Sequence, residues 1–195
     1  MDPPPKPTLE YKIAVIKNNI DNIIILKFFM KVNIALLTVT DTRTIDNDKS
    51  GGILVNKIKE SNHNLIDRKI CKDSKDEIIL ILKEWLQNKK IDTIITTGGT
   101  GLTGRDITPE ALDEIADKHI PGFGEVFRTI SLKTVGTSSI QSRACAVLSN
   151  GKYVFALPGS SGGVTDAWEG ILKHQLDVNH KPCNFIELFP RLKEK

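Results

Sequence analysis

A glycine-rich loop set between a buried strand and a helix start constrains this chain more than any other segment. Residues 96 to 112 read TTGGTGLTGRDITPEAL. They follow the apolar run Ile91–Ile95, whose Ile content and poor alternation suit a strand buried on both faces of a parallel sheet. Gly98, Gly99, Gly101 and Gly104 permit positive φ and carry no side chain, so backbone N–H groups around Thr100 can face an oxyanion and a ligand can lie against the main chain. A phosphate cradle is the expectation. Thr108 is placed to cap the next helix, with Pro109 at its first position and Glu110 in its first turn.

The loop also carries Arg105 and Asp106, adjacent and of opposite charge. One reading is a surface ion pair beside a turn, which contributes little stability. The other is functional: an arginine meets phosphate bidentately, and a carboxylate beside bound phosphate calls for a bridging divalent cation. Nucleotidyl transfer uses those parts. No Gly-Lys-Ser/Thr follows the glycines, so the Walker pattern is absent. Gly99, Gly101 and Gly104 match G-x-G-x-x-G in spacing only, because Arg-Asp follows in place of a helix.

Strands and helices alternate around this loop. Residues 32–39 (VNIALLTV) read as a buried strand, and the polar, glycine-containing stretch 46–52 reads as a loop leading to a helix over 53–61. A strand over 65–71, a helix over 75–88, a strand over 91–97 and a helix over 109–118 follow. Residues 120–132 show helical spacing of Phe123, Phe127 and Ile130, which suits core or a subunit interface. A strand over 153–157 leads through Pro158, Gly159 and Ser160 to a helix over 164–175. Such alternation predicts parallel βαβ units with functional loops at the strand carboxyl ends. On that edge, backbone at Pro158, Gly159 and Ser160 holds a nucleotide or forms an ordinary turn. Asp41 and Ser50 line a ligand pocket or merely cap. Arg143 reaches an anion or forms a structural salt bridge. Asp73 is a second candidate carboxylate, with a helix-capping role as the alternative and Asp76 competing for that cap.

These motifs resemble the molybdenum cofactor biosynthesis proteins MoaB and MogA, whose GGTG loop is followed by an Arg-Asp-x-Thr-Pro-Glu motif. The resemblance continues through PGFGEVFR (121–128), GTSSIQSRA (136–144), FALPGSSGGVTDAWEGI (155–171) and KPCNF (181–185), covering roughly residues 31 to 185. The Pro158-Gly159-Ser160 sequence leans toward the MoaB branch. The resemblance implies a three-layer α/β sandwich around a mostly parallel sheet. It also implies Mg²⁺- and ATP-dependent adenylylation of the molybdopterin phosphate, with Asp106 and Asp73 as the catalytic, Mg²⁺-positioning aspartates. A homotrimer or homohexamer is implied as well, with other cofactor-biosynthesis proteins as further partners. A binding module of the same pathway that keeps the pterin pocket without catalysis is the second reading.

Composition suits one such domain over residues 31–190. The 195 residues are 39% hydrophobic and 26% charged, enough for a sizeable core. A net charge of +3 is too balanced to argue for nucleic acid and compatible with anionic substrates. Cys71, Cys145 and Cys183 show no metal-ligand spacing, so a reducing cytoplasmic setting is expected. No apolar run reaches the roughly 18 residues a membrane span requires. Residues 1–30 fall outside the resemblance. Their triproline start predicts a mobile tail. The apolar stretch after it, broken by Lys27, is read as a peripheral element or as sequence before a start at Met30, rather than as an export signal.

Overall fold

The computed structural model describes residues 30–194, and the expectations for the amino-terminal extension lie outside them. A six-stranded sheet forms the centre. In chain order its strands are β1 (Asn33–Val39), β2 (Asn64–Cys71), β3 (Thr93–Thr97), β4 (Lys118–His119), β5 (Cys145–Ser149) and β6 (Lys152–Leu157), arranged β2-β1-β3-β6-β5-β4. The β2, β1, β3 and β6 strands pair in parallel, whereas β5 runs antiparallel to both β6 and β4. The mostly parallel α/β sandwich implied by the sequence is the fold observed.

Period-two alternation along β1 sorts the core into two halves. Ile34 and Leu36 point into one cluster with Leu54, Phe127, Phe155 and Trp168, while Ala35, Leu37 and Val39 point into another with Ile78, Leu82, Trp85 and Leu112. The first half is covered by α1 (Lys49–Glu60), α4 (Pro121–Val135) and α5 (Ser161–Ala167); the second by α2 (Lys75–Gln87) and α3 (Thr108–Ile115). Strands buried on both faces explain the near-continuous apolar runs in the sequence.

Several boundaries differ from the sequence expectation. Helix α1 begins at Lys49, so Gly51 and Gly52 lie inside it rather than in the preceding loop. Asp48 caps it, accepting the Gly51 N–H at 2.9 Å. A Cβ on residue 51 would fall 2.0 Å from Asp48 Oδ2, so the glycine is what admits the cap. The expected helix over 164–175 starts at Ser161, widens into a π-helical turn at Trp168–Leu172 and ends as α6 (Lys173–Gln175). Gly170 lies in that turn, and Ile130 of α4 comes within 2.5 Å of where its Cβ would stand. Strands β4 and β5 were not anticipated. Asn150 and Gly151, at φ 47° and 70°, turn β5 back into β6, and Asn-Gly is the dipeptide such a tight hairpin favours.

Phe123 and Phe127 are 4% and 1% exposed and belong to the chain's own core, Phe123 packing on Phe155 with ring centroids 5.2 Å apart. Of the two roles their spacing allows, core and subunit interface, they take the core one. The apolar side chains left in water on α4 and just after it are Val126, Leu132, Val135 and Ile140. No helix among the described residues is long and apolar enough to cross a membrane.

Trp168 is fully buried between α4 and the sheet. Trp168→Ala should cost about 3–5 kcal/mol in urea unfolding, the range for truncating a large buried aromatic; a loss below about 1 kcal/mol would show that the π-helical turn relaxes to fill the space.

Candidate functional site

The chain order β1, β2, β3 and the spatial order β2-β1-β3 make the β1/β3 junction a topological switch point. Loops leaving the two strands diverge there, and a crevice opens at their carboxyl ends. The cleft has a volume of about 660 Å³ and is lined by the exits of β1, β3 and β6, including Thr38, Arg43, residues 97–101, Asp106 and residues 158–160.

The glycine loop is held from behind. Gly98 O accepts the Thr108 hydroxyl at 2.9 Å and Gly99 O the Thr108 N–H at 3.0 Å. Thr100 O accepts the Arg143 N–H at 2.9 Å and Gly101 O the Arg143 Nε at 2.7 Å. Every carbonyl from Gly98 to Gly101 is therefore tied into the protein. In a trans peptide the following N–H points the opposite way. The Gly98 N–H is spent on Leu157 O, and that of Gly101 helps to lower the Asp106 pKa. Those of Gly99 and Thr100 have no backbone acceptor among the described residues.

Positive φ occurs at Gly98 (102°) and Gly99 (64°) and not at Gly101 or Gly104. Gly101 is required for a different reason, because its Cβ would stand 2.7 Å from Asp106 Oδ2. Thr108 does not cap α3 as expected; Ile107 occupies that position without a side-chain bond, and the Thr108 hydroxyl serves the glycine loop. The exit of β6 closes on the same loop: Thr97 Oγ1 donates to Pro158 O at 2.8 Å, and a Cβ on Gly159 would lie 3.2 Å from Gly98 Cα. Ser160 caps α5 by accepting the Gly163 N–H.

Three aspartates gather beside the loop. The Asp73 N–H donates to Asp41 Oδ1 at 3.2 Å, and Asp73 Oδ1 lies 3.0 Å from the Cβ position of Gly99. Burial pushes the Asp73 pKa up, and the negative charges of Asp41 and Asp106 push it further. Asp106 behaves oppositely. Desolvation works against its carboxylate, but the hydroxyl and N–H of Thr103, the Gly101 N–H and the charge of Arg143 together bring its pKa below the ordinary value. Helix α2 is capped by Ser74, which accepts the Glu77 N–H, so neither Asp73 nor Asp76 is the cap.

The arginines divide differently from the sequence expectation. Arg143 spends its guanidinium on Gly101 O, on the Asp106 carbonyl at 2.6 Å and on an ion pair with Glu110, which is the structural alternative rather than an anion contact. Arg105 is 80% exposed and pairs with Asp41 Oδ2 at 3.3 Å. Ser50 is buried, donating to Asp48 and accepting from Arg43. Arg43, on the cleft wall, was not anticipated. Nothing in the surrounding Thr-Asp-Thr-Arg-Thr sequence distinguishes it from a solvated loop arginine.

The fold and cleft define a doubly wound α/β protein with a glycine loop at its switch point. A family model for a probable molybdopterin binding domain matches residues 35–178. Molybdenum cofactor biosynthesis protein B of Escherichia coli strain K12 is 40% identical over 166 residues, which is 85% of this chain and 96% of that protein. A crystal structure of molybdenum cofactor biosynthesis protein B superposes with a TM-score of 0.77 at 35% identity, covering 86% of this chain and 99% of the other. The tungsten cofactor synthesizing protein MoaB from Pyrococcus furiosus gives 0.67 at 34% identity, covering 74% and 92%. The chain belongs to the molybdenum cofactor biosynthesis family, on its MoaB side.

A carboxyl group with a raised folded-state pKa binds its proton more tightly when folded. Its contribution to stability is present below the unfolded pKa and is lost as pH rises through the folded value. Asp73→Asn should therefore raise Tm at neutral pH and leave it unchanged in acid. Ser74→Ala, which removes the true cap, should cost about 1 kcal/mol. A lower neutral-pH Tm for Asp73→Asn would contradict the carboxylate crowding.

Proposed function

We propose that the chain acts in molybdenum cofactor biosynthesis by Mg²⁺- and ATP-dependent adenylylation of the molybdopterin phosphate, with release of pyrophosphate. The observation that carries this reading is the gathering of Asp41, Asp73 and Asp106 beside a loop whose carbonyls are turned away from the cleft. Burial and the negative charges of Asp41 and Asp106 raise the Asp73 pKa, a crowding that a divalent cation would relieve, and phosphate beside these carboxylates requires one. Among the described residues no set of three or more His, Cys, Asp or Glu side chains is arranged to hold a metal ion by itself. That fits Mg²⁺, which binds through one or two carboxylates, completed by waters and substrate phosphates. When bound, the ion would neutralise phosphate charge.

The chain's own part is orientation. The N–H groups of Gly99 and Thr100 would hold phosphate oxygens, Pro158, Gly159 and Ser160 would bound the nucleotide side, and Asp106 and Asp73 would fix the ion relative to the reacting phosphoryl group. No covalent nucleophile is needed for in-line displacement; positioning and charge neutralisation supply the catalysis. Arg105, exposed at the rim and paired with Asp41, would add a positive charge near the entering phosphate. A cytoplasmic setting accompanies this reading, since all three cysteines are free thiols.

Purified chain given ATP, Mg²⁺ and molybdopterin should yield adenylylated product. Asp106→Ala should lower turnover by about 100-fold or more while changing molybdopterin affinity by less than about fivefold. Molybdopterin binding without AMP transfer would establish the second reading, a non-catalytic carrier or assembly protein of the pathway.

Assembly as a homotrimer or homohexamer belongs to the same proposal. The exposed Val126, Leu132, Val135 and Ile140 are apolar surface that contact with further copies would take out of water. Light scattering should give at least three times the 21.6 kDa chain mass; a single-chain mass at micromolar concentration would exclude it.

A further inference from the structure

We propose that Arg43 is the phosphate-recognising cation of the cleft and that the buried Asp48–Ser50 pair is the device that aims it. This rests on the cleft being an anion site and assigns that role to a residue outside the glycine loop. Of the cleft's lining side chains, Arg43 is the basic one and Asp106 the acidic one. Arg143 has its guanidinium tied to loop carbonyls and Glu110, and Arg105 points into solvent with Asp41.

Arg43 is held by one nitrogen. Its Nη1 donates to Ser50 Oγ at 3.0 Å and to Gly159 O at 3.2 Å, which ties the exit of β1 to that of β6 across the cleft mouth. Among the described residues, no acceptor takes Nη2 or Nε. A guanidinium fixed through one nitrogen, with its two other nitrogens open, presents the fork that matches two phosphate oxygens.

The anchor is fixed in turn. Ser50 Oγ donates to Asp48 Oδ1 at 3.1 Å, which leaves its lone pairs for Arg43. The Asp48 side chain is fully buried and also accepts from the Thr38 hydroxyl at 2.6 Å and from Arg68 Nη2 at 3.0 Å. Asp48 thus orients Thr38, a second cleft residue, as well as the seat of Arg43. Its one negative charge faces two guanidiniums, Arg43 at 3.9 Å and Arg68, leaving one positive charge unbalanced at the cleft wall. A buried carboxylate that only capped α1 would not need the second guanidinium.

The test is calorimetric titration of the full chain with inorganic pyrophosphate and Mg²⁺, which reads anion binding without turnover. Arg43→Ala should weaken pyrophosphate by about 10- to 100-fold with Tm nearly unchanged, and free guanidinium ion should restore part of the loss. Arg105→Ala should weaken it by less than about threefold. Ser50→Ala keeps Asp48 as the helix cap but removes the anchor, and should weaken binding about three- to tenfold while Arg43 remains in place. Absence of pyrophosphate binding by the unaltered chain, a loss under about threefold in Arg43→Ala, or a larger loss in Arg105→Ala overturns the assignment. Failure of AMP transfer with these binding differences intact overturns the adenylylation reading alone and leaves Arg43 as the anion residue of a binding protein.

Discussion

The inward turn of four consecutive carbonyls, Gly98 to Gly101, is the interaction on which the cleft depends. Unsupported, a glycine-rich loop samples many conformations, and ordering it costs backbone entropy of about 1–2 kcal/mol per residue. Here the cost is met by two side chains arriving from opposite directions. Thr108 stands at the start of α3 and takes the first two carbonyls; Arg143 comes from the segment before β5 and takes the last two. Glu110, one turn into α3, then pairs with Arg143, and this contact is what chiefly lowers its pKa. Loop, helix and arginine thus fix one another, with the N–H side of the loop left toward the cleft.

Two carboxylates of the same residue type take contrasting parts in this arrangement. Asp106 is embedded in hydrogen bonds that lower its pKa, whereas burial and then neighbouring negative charges raise that of Asp73. Environment separates them, as it separates the paired acids of many catalytic sites. A third, Asp48, faces away from the loop and works through Thr38 and Ser50. Within the cleft the acidic side chain, Asp106, stands at the β3 exit and the basic one, Arg43, at the β1 exit against Gly159 of the β6 exit, a polarity suited to a phosphate bridging cation and guanidinium.

The parallel half of the fold was legible because its strands are buried on both faces and read as unbroken apolar runs at β1, β3 and β6. The glycine loop was legible from composition alone, and the resemblance to MoaB and MogA supplied the family. What escaped has physical causes. Gly51 looks like a helix breaker until Asp48 needs the space above it, so the start of α1 was placed late. Strand β5 is short and follows a 3₁₀ turn over Gly136–Gln141, yet Asn150-Gly151 carried the hairpin signal. The roles of Arg43 and Arg143 depend on residues more than forty positions away, Gly159 and Gly101 respectively, and no local pattern reports such a pairing. Phe123 and Phe127 had the right period for either core or interface, and only the position of Phe155 decides between them.

The three exits that make the cleft leave β1, β3 and β6, which are adjacent in the sheet and carry neighbours on both edges. Segments of that kind open to solvent only when the whole domain unfolds, in contrast to edge strands and surface loops that fray locally. The amides of β3 should accordingly be among the last to exchange with deuterium, and the ligand site inherits that protection. A cleft mounted on the least yielding part of the molecule does not gain access by melting its own walls; a ligand enters through the open mouth, past the exposed turn around Leu102 and Arg105, onto a floor that stays still.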